Sequence, residues 1–186
     1  MSRFSARDIT MTAVFAALAV VAAMLVRYGG SIVPFSLIPF VVMLAGGVLG
    51  ARLGALSMIV YILLGLVGVP VFASPPFGGP AYVLSPTFGF LPGFVGSAYV
   101  IGLLLKNRKE SGFITYFLSM AAGIVVYYLI GLPYLYVILN FYLGKAVSAA
   151  AVITIGFTPF IVLDLFKAAA AAIMARALHR RLNDLA

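Results

Sequence analysis

Apolar residues run almost unbroken through six stretches of the chain, 9–26, 32–49, 55–69, 86–105, 113–132 and 149–176. Polar, charged and turn-forming residues collect between them. Most of the stretches approach the ~20 residues that a helix needs to cross a ~30 Å hydrocarbon core. The pattern predicts an all-α integral membrane protein, with six transmembrane helices in a single domain over 1–186. Arg3 and Arg7 precede the first stretch, as in a leader peptide. That stretch is as long as a full span and shows no small-residue cleavage site, so it reads as a retained helix.

The breaks carry the local detail. Ala13/Ala17 and Ala19/Ala23 in the first span are small-xxx-small pairs that let a second helix approach closely. Docking on another membrane subunit is one use for them, and packing inside the bundle is the other. Residues 27–31 form a short loop, and Pro34 and Pro39 then bend the start of the second span beside a cavity. Gly50-Ala51-Arg52-Leu53-Gly54 is a tight turn. The stretch from Pro70 to Ser85 has no charge and is rich in proline, glycine and aromatics, which suits a lid or pocket wall. Ser85 as N-cap and Pro86 at the first helical position predict that span four starts there, with free amides at its positive end. Span five is expected to end near Leu132. The aromatic run 133–145 then lies at the interface, and Pro159 bends span six.

Composition sharpens this picture. Charged residues make up 9% of the 186, against roughly 25% in soluble domains. In so apolar a chain the net charge of +8 reports membrane topology and anionic lipid, not nucleic acid. Six spans put both termini on one side. Arg3, Arg7, Arg52, Lys106, Arg108, Lys109, Arg176, Arg180 and Arg181 then share that side, which the positive-inside rule makes cytoplasmic. There is no cysteine, and the lone His179 falls at the basic, exposed C-terminal end, so no metal site is expected.

Asp164 is a carboxylate embedded in the last span, and Lys167 follows it by three residues on the same helix face. The twelve steps from Arg176 put Asp164 ~18 Å deep at ~1.5 Å per residue. A charge at that depth must face protein or a wet cavity, which makes it a candidate functional site. The bland alternative is a pair that only neutralises itself and braces the bundle. Asp164, the 70–85 loop and the start of span four all fall in the outer half, which predicts one outward-facing ligand pocket. The chain has no phosphate-binding glycine-lysine loop. Other readings stay open: an intramembrane hydrolase with Lys167 as base, or a proton-coupled carrier on Asp164. A channel would need more polar residues than these.

These residues also carry a resemblance. Val33-Pro34-Phe35-Ser36-Leu37, the run Leu44 to Ala55, the run Tyr61 to Ala73, Ser85-Pro86-Thr87-Phe88-Gly89-Phe90-Leu91 and Asp164-Leu165-Phe166-Lys167-Ala168 resemble the biotin-specific (BioY) substrate-binding components of energy-coupling-factor transporters. The chain departs from that pattern at Ile38, at Ser85, at Phe88 and Phe90, and in having no arginine in the loop before Gly78. The resemblance implies biotin as ligand, no cofactor and no enzymatic activity. It also implies a transmembrane scaffold subunit and two cytoplasmic ATPases as partners, with the chain in the cell membrane. It gives Asp164 and Lys167 the polar groups of biotin and makes Ala13 and Ala17 the docking pair. The ureido ring, with N–H donors beside a carbonyl, suits a carboxylate next to an ammonium. Phe72, Tyr82, Phe88 and Phe90 suit the sulfur ring and tail. Ser85, Thr87, Gly79 and Gly89 complete the expected contacts, with the amides opening span four for the tail carboxylate. A related precursor such as lipoate, or a stand-alone carrier, is the alternative.

Overall fold

A computed structural model describes residues 5–28, 36–107 and 112–184, with side chains to 179. The bend expected at Pro34 and the charged residues 108–110 lie outside the described residues. The helices are α1 (Ala6–Tyr28), α2 (Ile38–Leu66), α3 (Phe90–Leu104), α4 (Phe113–Val137), α5 (Ala149–Gly156) and α6 (Thr158–Asp184), and there is no strand among the described residues.

α2 is not one rod. Nine residues of straight helix span ~13.5 Å, yet a Cβ on Gly54 would lie 3.0 Å from the backbone of Ala45. The chain doubles back at Gly50, whose φ of 80° is open to glycine and strained for other residues. Residues 38–49 and 51–66 are therefore the two limbs of a hairpin; the turn expected over Gly50–Gly54 is made at Gly50 alone, and residues 51–54 already belong to the second limb. The second limb stops at Leu66, three residues before the expected end. At the other end of the chain, α5 and α6 meet at a 42° bend just before Pro159 and together make one broken apolar span. Counting hairpin limbs singly and the bent pair once gives six apolar helical segments among the described residues, of which α1, α4 with its π-helical turn, and the bent pair each have the length and apolarity of a full span.

Span five runs past its expected end. Pro133 sits inside α4, which continues to Val137 and then through a π-helical turn, Ile138–Tyr142. In a membrane bundle, neighbouring helices and local widening of the backbone accommodate the missing proline donor. Phe141 and Tyr142 on that turn are exposed, as a headgroup-level belt requires.

Among the described elements α1 packs chiefly on α2, while α2 packs on α3, α4 and α6, and α4 on α3 and α6. The core runs along Ala19 and Ala23 of α1, Met43, Met58 and Tyr61 of α2, Ile101 of α3, Met120 and Tyr127 of α4, and Ala168–Ala175 of α6. The two alanine pairs thus divide: Ala19 and Ala23 are fully buried, whereas Ala13 and Ala17 are exposed. Ala23→Leu is expected to overpack the α1–α2 contact, at a cost of roughly 1–3 kcal/mol. Thermal denaturation in detergent should show a lowered midpoint.

α4 and α6 run antiparallel. The Tyr116 hydroxyl lies 2.9 Å from His179 Nδ1, and Tyr127 meets Asp164 farther along both helices. His179 is thus not the exposed residue expected from its place near the C-terminus: it is 7% exposed, because α6 stays helical through it and turns it onto α4.

Candidate functional site

Asp164 is 3% exposed, near the midpoint of the joined α5–α6 span. Its Oδ1 accepts from Lys167 Nζ at 2.8 Å, the one-turn spacing that the sequence provides. Its Oδ2 accepts from two phenols of α4, Tyr127 at 2.5 Å and Tyr128 at 2.7 Å. The low polarizability of the surroundings strengthens each of these charge-assisted bonds and makes the unpaired state expensive. Asp164 and Lys167 face the bundle and not lipid, and they are bonded to each other.

Sequence reasoning missed both tyrosines. The available signal was a Tyr-Tyr pair in the middle of an apolar span, since a buried phenol needs an acceptor. The pair is held from two sides. Tyr127 packs edge-on against Phe94 of α3 at 5.4 Å, and Tyr128 against Phe90 at 6.1 Å and Phe157 at 4.9 Å.

A second cluster gathers most of the other expected residues in the loop between α2 and α3. Phe72 and Tyr82 stack at 4.1 Å, Tyr82 meets Phe88 edge-on at 6.4 Å, and Phe88 meets Tyr134 of α4 at 5.8 Å. Gly65 makes room for Phe72, whose ring fills the position that a Cβ there would take. The hydroxyls of Ser74, Tyr82, Ser85 and Thr87 form one network, with Ser74–Tyr82 at 2.9 Å and Ser85–Thr87 at 3.1 Å. Phe90 links the clusters, because it touches the Tyr128 that donates to Asp164.

The uncharged loop is folded onto the bundle end. Arg27 Nη1 donates to the Pro70 carbonyl at 3.3 Å, and its guanidinium lies 3.8 Å from the Phe77 ring centre. Gly79 N–H donates to Gly65 at 2.7 Å, and the Tyr134 hydroxyl donates to the Val83 carbonyl. Arg27 thereby brings from α1 a cation that the loop itself lacks. Gly79, at φ 90°, has open space on its Cβ side, whereas Gly89 is packed under Tyr134.

The start of span four differs from expectation. Ser85 is not an N-cap and Pro86 does not open the helix; α3 begins at Phe90, after Gly89. The Ser85 hydroxyl is engaged with Thr87, and successive tight turns carry the chain forward. In those turns the amides of Phe88, Phe90 and Leu91 bond to Ser85, Thr87 and Phe88 carbonyls. These amides are thus already used, and the expected amide cradle for an anion is not present at Ser85.

An apolar groove of about 630 Å³ lies between α4 and the α5–α6 pair, lined by Ile124, Tyr128, Leu132, Val152 and Phe157 among others. Of the residues expected to touch ligand, none lines it, and its walls suit hydrocarbon.

Fold and buried ion pair define a class: a small all-helical membrane protein with a carboxylate and an ammonium paired inside the bundle. The crystal structure of an S-component for biotin from an ECF-type ABC transporter superposes with a TM-score of 0.79, over 96% of this chain and 95% of that one. At 23% identity that likeness concerns the fold. The chain belongs to the BioY family, whose sequence profile matches residues 1–184. It is 42% identical over 177 residues to a probable biotin transporter BioY of Lysinibacillus sphaericus, covering 95% of this chain and 88% of that protein. It is 41% identical over 174 residues to the biotin transporter BioY of Thermotoga maritima, covering 94% and 96%.

Proposed function

We propose that this chain binds biotin from the outer side of the cell membrane and serves in its uptake as the S component of an ECF-type ABC transporter. The relatives named as biotin transporters support the substrate, and the shared fold supports the transporter type. The observation that carries the reading is the buried Asp164–Lys167 pair, an acceptor beside a donor at mid-membrane depth, matched to a ring that presents N–H beside C=O.

In this reading the ureido ring meets Asp164 and Lys167. Phe72, Tyr82, Phe88 and Phe90, with the Ser85–Thr87 hydroxyls and the open side of Gly79, form the wall toward the outer surface. The packed position of Gly89 makes it a spacer for Tyr134 and not a contact. The termini are cytoplasmic, in accord with the excess of Lys and Arg on their side of six crossings. Ala13 and Ala17 meet a transmembrane scaffold subunit, and two cytoplasmic ATPases consume the ATP.

Calorimetry or native mass spectrometry of the purified protein with biotin, lipoate and other vitamins tests this. Tight one-to-one binding of biotin alone is the expected result. Preference for lipoate, or no binding, would overturn the substrate.

A further inference from the structure

The three bonds to Asp164 determine what its carboxylate can still do. A carboxylate offers about four acceptor positions, two on each oxygen. Both positions on Oδ2 are taken by the hydroxyls of Tyr127 and Tyr128. Oδ1 holds Lys167 alone, so one position stays free there. An ammonium has three donors, and Lys167 Nζ spends one on Asp164, with no other hydrogen bond among the described residues. The remaining capacity therefore belongs to two adjacent atoms: one acceptor position on Oδ1 and donors on the Nζ bonded to it.

Tyr127 and Tyr128 are consecutive, and consecutive side chains on a helix diverge by ~100°. They converge on a single atom only because Oδ2 sits over the face of α4 between them. The carboxylate is thus held from two directions against rotation. The phenols are braced in turn, their rings 4.6 Å apart, with Phe94 and Phe90 of α3 on one side and Phe157 at the α5–α6 bend on the other.

We propose that Tyr127 and Tyr128 are positioning residues that set the specificity of this site. By donating together to Oδ2 they fix the orientation of the Asp164 carboxyl group and aim its one open position, on Oδ1, alongside Lys167. The site then selects a ligand edge that presents one N–H next to one C=O, as a cyclic urea or lactam does. It rejects an edge whose nitrogen carries an alkyl group, which would leave Oδ1 and Nζ without partners. This inference rests on the biotin reading above and extends it to residues that do not touch the ligand.

The experiment is calorimetry on the purified protein with two probes, biotin and biotin methylated on both ureido nitrogens. Wild type, Tyr127→Phe and Tyr128→Phe are compared, each also in an Asp164→Asn background, with thermal denaturation to verify folding. Each Phe variant is expected to weaken biotin binding by ~3- to 10-fold and to narrow the preference for biotin over the methylated probe. In the Asp164→Asn background the same changes should cost little more, because the phenols act through that carboxylate. Should Tyr127→Phe fail to fold, Tyr128→Phe decides. Phe variants with wild-type affinity, or losses that add in full to that of Asp164→Asn with the preference intact, overturn the inference and leave a bracing role only. Wild type that does not bind biotin overturns the underlying reading, and the inference with it.

Discussion

Asp164→Asn is expected to weaken biotin binding by tenfold or more while the protein still folds. The change removes the charge that three donors converge on and puts an amide N–H₂ where an acceptor stood. One amide oxygen remains for Tyr127, Tyr128, Lys167 and ligand together. Losing one charge-assisted hydrogen bond costs roughly 1.5–3 kcal/mol, and each 1.4 kcal/mol is a factor of ten in affinity. Lys167 is left with an uncompensated charge at a side-chain exposure of 13%, which lowers the stability of the fold and is read separately, as a shift in the thermal midpoint. Titration calorimetry in detergent or nanodiscs measures the change. An Asp164→Asn protein that binds biotin as wild type does would place recognition elsewhere and reduce the ion pair to a brace.

Ala13→Leu and Ala17→Leu should do the reverse, leaving biotin affinity at the wild-type value and abolishing uptake. Both alanines are on the exposed side of α1, each followed by an exposed apolar residue, Val14 at 45% and Leu18 at 41%. A leucine there projects from the exposed side of α1, away from the core of the described helices, so neither folding nor the distant ion pair should respond. Helix pairs in lipid associate through close backbone approach at small residues, and a branched side chain at that contact holds the partner off. Uptake of labelled biotin by cells that carry the complete transporter, set beside calorimetry of the isolated variant, separates the two effects. Undiminished uptake would mean that this face of α1 meets only lipid.

Much of this architecture could be read from the order of residues. The six apolar stretches, the Gly50 reversal, the bend before Pro159 and the embedded Asp164–Lys167 pair all follow from local rules. Hydrophobic length, glycine at positive φ, proline and one-turn spacing each act within a few residues. Where local rules failed, a contact from far along the chain had intervened. Ser85 has the chemistry of an N-cap, but its hydroxyl is engaged by Thr87, which the Ser74 and Tyr82 hydroxyls, from earlier in the loop, hold in turn. Pro133 has the chemistry of a stop, but the surrounding bundle let α4 continue. His179 belongs to a basic tail, but α4 covers it with Tyr116.

Membrane residence, helical class and the identity of the buried charge were therefore inherent in the sequence, because desolvating backbone and carboxylate in hydrocarbon leaves few alternatives. Which alanine pair turns inward, and which phenols satisfy Asp164, only the packed bundle decided. Ala13/Ala17 and Ala19/Ala23 are equivalent in spacing, and it is the rotation of α1 against α2 that buries the second pair. Tyr127 and Tyr128 stand more than thirty residues before Asp164, and the antiparallel register of α4 on α6 brings their hydroxyls to it.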